Sequence, residues 1–185
     1  MVDAFPATLG SRASPLFLRE AEIRRGIELV YFGYANLLRG PDTILASQGL
    51  GRAHHRALYF IARRPGLPVF ELLRLLDITK QSLSRVLADL VRLELVEQRV
   101  GTHDRRQRLL ILNASGAALE AQLFTALKER MAAAYVQAGQ DSVTGFWAVL
   151  AGLIPVEDRA MILALAQTDA GGADPAGRPA QEATG

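Results

Sequence analysis

A mainly α-helical fold carrying a small β-hairpin is what this 185-residue sequence predicts, on three observations. The run from Pro68 to Ile78 places Val69, Leu72, Leu73 and Leu76 at helical spacing and ends in a tight turn at Asp77-Ile78. A second helix then starts at Thr79, a good N-cap, with Leu83, Val86, Leu87 and Leu90 at i, i+3, i+4 and i+7, so that one stripe faces a core. Two strand-like runs, Val96–Val100 and Arg108–Leu112, flank a polar, glycine-started tip, Gly101-Thr102-His103-Asp104-Arg105-Arg106. Helix, turn, helix and a basic-tipped two-stranded β wing, in that order, make a winged helix-turn-helix.

The remaining elements follow in chain order. Residues 1–13 are small, polar and unpatterned and read as a flexible arm. A long helix is predicted from Pro15 to Leu38, its stripe running through Leu16, Ile23, Ile27, Val30, Tyr31, Tyr34, Leu37 and Leu38, with Gly40-Pro41 as the stop. Asp42 to Gly49 reads as a connection with at most a short helical turn, and Gly51 to Arg64 as a helix burying Ala57, Leu58, Phe60 and Ile61. After the hairpin, Asn113 caps a helix reaching about Gln137 through Leu119, Leu123, Leu127 and Met131, and Gly139 breaks it. Another helix carries Val143, Phe146, Trp147, Leu150 and Leu153, and Pro155 opens a last one with Met161, Leu163 and Leu165. The segment 169–185 has no apolar period and reads as a disordered tail. The expected organisation is therefore one domain over 14–168. Within it, 51–113 form a DNA-binding lobe, and 14–50 and 114–168 supply dimerisation helices, which carry more apolar surface than a small lobe needs to cover.

Charge distribution sharpens this. The chain is only +2 overall, yet 12 Lys/Arg face 6 Asp/Glu between Arg52 and Arg108, leaving the rest of the chain with 9 basic and 13 acidic residues. A basic excess on a helix-turn-helix and its hairpin points to a phosphate-facing surface. There is no cysteine, which excludes a disulfide framework, a thiolate zinc site and thiol-based redox sensing. No apolar run approaches a membrane span and no signal-peptide pattern leads the chain, so the expected location is the cytoplasm, away from membranes.

A helix lying in a major groove reads base edges with its N-terminal side chains. Lys80, Gln81, Ser84 and Arg85 supply donors and acceptors there: Arg85 suits guanine and Gln81 suits adenine. The hydroxyls of Thr79 and Ser82, with the N–H groups of that helix end, suit phosphate. At the tip, Arg105 and Arg106 are placed for the minor groove or its phosphates, and Asp104 is expected to hold an arginine in one orientation.

At these residues the sequence resembles the MarR family of transcriptional regulators. The resemblance lies in the run from Ile78 to Gly116 and, within it, in Asp104, Arg106, the apolar strand Leu109–Leu112, Asn113 and Gly116. The segment LGRAHHRALYFIA sits where that family keeps its second helix, and the likeness spans about Ile23 to Leu153. Asp77 stands where the turn often has glycine, and Asn113 where threonine is usual. The His54-His55 pair and the helix after Pro155 are similar to a PetP-type subgroup. The resemblance implies a homodimer with two winged lobes on a pseudo-palindromic operator in double-stranded DNA, acting as repressor or activator and commonly released by a small-molecule effector. It also implies an effector pocket between the dimerisation helices and the lobe, for which Tyr31, Tyr34, His54, His55 and Tyr59 are the candidates. The alternative for each is a packed or interfacial aromatic, or a capped histidine.

Two other classes of function are compatible with parts of the sequence. A winged helix can dock a protein partner without binding DNA specifically, and the apolar terminal helices with modest net charge are what favours that. An enzyme has less support: no Ser-His-Asp signature, Gly-rich phosphate loop or metal cluster is present, and nothing fixes His55 against Glu28 or Asp42. Adjacent His54 and His55 point about 100° apart on a helix and chelate poorly together, so no metal or cofactor is expected.

Overall fold

The computed structural model describes residues 14–101, 104–160, 162 and 165. The arm 1–13, the tail 169–185, hairpin residues 102 and 103, and Met161 and Leu163 of the last helix lie outside the described residues. The chain opens with a 3-10 turn, Pro15–Leu18, capped by Ser14, and continues as α1 (Glu20–Leu37) and α2 (Arg39–Ala46). The single long helix expected from Pro15 to Leu38 is thus divided. Arg19 is extended (φ −65°, ψ 142°), which interrupts the helical run before Glu20. α1 ends at Leu37, within a residue of the expected stop, but Gly40-Pro41 is not a loop, and the connection expected from Asp42 is helical as far as Ala46. A new helix begins at Arg39, so Pro41 falls in its first turn, where a missing N–H removes no intrahelical bond. Leu38 O accepts from Asp42 N at 2.8 Å, starting α2's own ladder.

Next come α3 (Arg52–Arg63), a two-residue strand β1 (Leu67–Pro68), α4 (Val69–Leu76), α5 (Lys80–Arg92), β2 (Val96–Val100) and β3 (Arg108–Leu112). The hairpin β2–β3 pairs from Val96 with Leu112 to Val100 with Arg108. The two-stranded wing is joined by a third strand, since Leu67 and Pro68 pair antiparallel with Leu110 and Leu109, giving the order β1-β3-β2. Pro68, read as the start of a helix, can occupy this edge because an edge strand need not donate from every N–H. The chain continues as α6 (Ala114–Ala138) and α7 (Gln140–Gly152), and residues 156–160 are helical.

One core organises the lobe. Leu58, Ile61, Leu67, Leu72, Leu76, Leu83, Leu90 and Leu110 are almost wholly buried in it, and Leu45 and Leu50 from one side and Leu119 and Leu123 from the other close it. Leu165 also packs into this core, and its carbonyl accepts from Arg63 Nη2 at 2.5 Å, returning the C-terminal helix to α3. By contrast α1 buries no residue within the chain, and past Leu123 no side chain of α6 is fully buried. Among the described residues, no helix is long and apolar enough to cross a membrane.

Candidate nucleic-acid interface

Placement of the reading helix begins at the turn before it. Asp77 adopts the left-handed conformation (φ 49°, ψ 54°) and ends α4, and its N–H donates to Leu73 O at 3.2 Å. Aspartate tolerates that region better than most residues with a Cβ. Thr79 then caps α5: its hydroxyl accepts from Ser82 N at 3.2 Å and lies 2.9 Å from the Ser82 hydroxyl. With Leu83, Val86, Leu87 and Leu90 buried beneath, Lys80, Gln81, Ser82, Ser84 and Arg85 are all turned to solvent. From α3, Arg56 Nη2 donates to Leu75 O at 3.1 Å, a cation on the C-terminal carbonyls of α4 that steadies the helix preceding the turn.

The hairpin tip is built by backbone hydrogen bonds. Gly101 N donates to Gln107 O and Gln107 N to Asp104 O, both at 3.0 Å. Asp104 Oδ1 accepts from Arg106 N at 2.9 Å, an Asx-turn that fixes where the tip points. Sequence reasoning expected this carboxylate to hold an arginine; the contact runs through the backbone amide of Arg106. Arg105 and Arg106 are exposed. Lys80, Ser84 and Arg106 line one open groove of about 790 Å³ between α4, α5 and the hairpin, together with Gln98 and Arg108. Gln98 and Arg108 were not among the sequence candidates: alternation puts them on the same sheet face as buried Val96 and Leu110, yet both are exposed toward the groove.

Ion pairing distinguishes these cations from many others. Arg24, Arg52, Arg64, Arg92 and Arg99 each pair with a carboxylate. Lys80, Arg85, Arg105, Arg106 and Arg108 have no such partner among the described residues, so the cations around the groove are left available for an external anion.

The five candidates for an effector pocket are not brought together in one chain. Tyr31 is exposed on α1. Tyr34 lines an apolar cavity of about 460 Å³ between α1, α6 and α7, with Leu29, Val30, Met131, Phe146 and Leu150. Tyr59 lines a neighbouring cavity of about 390 Å³ with Phe124, Leu127, Lys128 and Tyr135, and Leu37 and Met131 border both. The histidines lie elsewhere. His54 caps α3, its Nδ1 accepting from Gly51 N at 3.1 Å, and its Nε2 is 3.3 Å from Asp89 Oδ2 on α5. His55 is buried, and burial pushes its pKa below the usual histidine value while the Asp42 carboxylate pulls it upward. No group of three or more potential metal ligands occurs among the described residues.

A winged helix whose reading-helix start and wing tip present unpaired cations around one groove defines a DNA-binding regulator. A model of the MarR family matches residues 48–107. The HTH-type transcriptional regulator PetP of Rhodobacter capsulatus is 48% identical over 139 residues, covering 75% of this chain and 84% of that protein. The chain belongs to the MarR family of transcriptional regulators, which bind DNA and are not enzymes. Solved structures share its fold. A MarR mutant from E. coli complexed with operator DNA has a TM-score of 0.59 at 23% identity, covering 77% of this chain and 100% of that one. NadR in complex with 4-hydroxyphenylacetate has a TM-score of 0.61 at 23% identity, covering 80% and 98%.

Proposed function

We propose that this chain works as a homodimer on a pseudo-palindromic operator in double-stranded DNA, with 51–113 as the reading lobe and 14–50 and 114–168 as dimerisation helices. The observation that carries the reading is the open groove bordered by Lys80, Ser84, Arg106 and Arg108, with the exposed N-terminal face of α5 beside it. Arg85 and Gln81 contact base edges, Lys80, Ser84 and the Thr79 and Ser82 hydroxyls contact bases or phosphate, and Arg105 and Arg106 engage the minor groove. A small-molecule effector is supported by the two apolar cavities around Leu37 and Met131, whose volumes fall in the usual range for ligand pockets. NadR, of the same fold, was solved with an aromatic acid bound, which is the ligand class to try first.

The test is selection of duplexes from a randomised pool, followed by binding measurements across salt. The expected result is an enriched sequence with two-fold symmetry, bound with an affinity that falls steeply as salt rises, because several phosphates shed counterions. Arg85→Ala should relax preference at one base pair, at a cost of about 1–3 kcal/mol. Arg105→Ala or Arg106→Ala should weaken all duplexes alike and lower the salt slope by about one. An unenriched pool with no salt slope would falsify the reading.

A further inference from the structure

Asp89 sits one helical turn beyond Arg85 on α5, the i+4 position at which a carboxylate and a guanidinium meet on a helix surface. In the structure both of its oxygens are occupied by other partners. Oδ2 lies 3.3 Å from His54 Nε2 of α3, and Oδ1 accepts from Arg92 Nη2 at 3.0 Å. His54 is itself oriented: since Nδ1 accepts from Gly51 N, the neutral ring carries its proton on Nε2, where it donates to Asp89. The His54 side chain is only 15% exposed and Asp89 43%, so the contact is shielded from water on the histidine side. Arg85 is exposed and makes no ion pair among the described residues.

We infer that His54 is a positioning residue for DNA reading: by holding Asp89 toward α3 it keeps that carboxylate off Arg85 and leaves the guanidinium available to base edges. The inference rests on the proposed reading of Arg85 as a base contact. Arg92 shares the task, and its contact with Asp89 lies on the side of α5 that leads away from Arg85. The bland account is that His54 caps α3 and ties it to α5, nothing more. The two accounts disagree about Asp89. If His54 acts by restraining a competing carboxylate, deleting that carboxylate removes the need for restraint. If the contact is only a tie, deleting Asp89 loosens α5 as much as deleting His54 does.

The experiment uses the full chain and two probes: the tightest duplex recovered from a randomised pool, and a shuffled duplex of the same composition. The readout is the ratio of the two affinities at one salt concentration, which cancels the general gain from removing a negative charge. His54→Asn keeps an acceptor for Gly51 N–H but is too short to reach Asp89. It should lower the ratio about fivefold or more, since an engaged arginine no longer discriminates its base. Asp89→Ala alone should leave the ratio near wild type, and the pair His54→Asn with Asp89→Ala should match Asp89→Ala. His54→Gln, which retains both an acceptor and a donor, should behave as wild type. A ratio unchanged in His54→Asn, or lowered in Asp89→Ala, overturns the inference, and the Asp89 arm decides even if His54→Asn does not fold. Arg85→Ala separates the two levels. A ratio it leaves unchanged overturns the Arg85 reading and this inference with it. A ratio lost in Arg85→Ala but kept in His54→Asn overturns this inference alone.

Discussion

A buried histidine next to a carboxylate gives α3 a titration that folding must oppose. His55 is 5% exposed, so the charged form of its imidazole is disfavoured by lost hydration. Asp42 acts in the opposite direction but is itself engaged by Arg52, whose Nη2 donates to Oδ2 at 2.7 Å and holds the Asp42 carboxyl below its usual pKa range. Burial is the larger influence on His55, so its folded pKa is depressed. The unfolded chain then takes up a proton near pH ~6.5 that the folded chain refuses until lower pH. Stability from this group is complete above about pH 6.5 and is lost as pH falls toward the folded pKa. Urea midpoints should drop between pH 7.5 and 5.5, and His55→Leu, which removes the titration, should flatten that drop. An equal drop in the variant would show that other groups carry it. At this scale the sequence was legible in part. Lys80, Gln81, Ser84 and Arg85 lie on the exposed face because the apolar spacing of α5 leaves them no other. Nothing in the spacing tells that His54, turned back to cap its own helix, would also reach Asp89, because that second contact depends on how α3 crosses α5.

The junction between the hairpin and α6 shows how an element can be positioned by the absence of a side chain. Asn113 N donates to Leu95 O at 3.2 Å, and Asn113 Oδ1 accepts from Gly116 N at 3.1 Å, so the cap and the chain ahead of β2 are tied at one point. A Cβ on Gly116 would lie 1.9 Å from Leu95 O and 2.8 Å from its carbonyl carbon, backbone atoms that cannot rotate away. Gly116→Ala should therefore destabilise the protein by about 1–3 kcal/mol, the usual cost of overpacking, despite alanine's better helix propensity. Ala117→Ser, on the exposed side of the same turn, should change the urea midpoint little. If Gly116→Ala were neutral, α6 would not be locked to the hairpin here. Elements with a cap and a full stripe, α3, α5 and α6, could be read from the sequence closely. Those that tertiary contacts create could not. β1 is two residues long, too short to show any period, and forms because Leu67 and Pro68 lie beside β3. The end of α5 carries no glycine signal: Glu94 takes a positive φ of 52° while Leu95 N reaches back to Leu90 O at 2.9 Å, buying its place with the burial of Leu95. The end of α1 was legible, but Gly40-Pro41 concealed that the chain goes straight on into α2, because the pair looks like a loop yet lies inside the first turn of a new helix.

For the molecule as a whole, the unanswered surface is α1. Its 18 residues include Ile23, Ile27, Val30 and Tyr34 on one stripe, each about half exposed, and none is buried by the chain's own α6 and α7. Phe146 faces α1 across the cavity of about 460 Å³ and belongs to a cluster with Tyr135 and Trp147, held by edge-to-face contacts and by Trp147 Nε1 donating to the Tyr135 hydroxyl at 2.9 Å. Helical periodicity announced an apolar face on α1 but not which chain covers it. On the proposed two-fold operator, a second copy would account for an apolar face of that extent. Sedimentation should give twice the 20.1 kDa chain mass, and Ile27→Glu should shift the protein to the single-chain mass. The consequence for DNA follows from counterion release. Each lobe brings its own set of α5 and wing cations, so one lobe alone releases about half the counterions, and the slope of log affinity against log salt should fall by about half in Ile27→Glu. Base preference within one half-site should survive, because the core of the lobe that positions α5 does not include α1. A variant that is monomeric yet keeps the full slope would place all the phosphate contacts in a single lobe and leave the apolar face of α1 to some other partner.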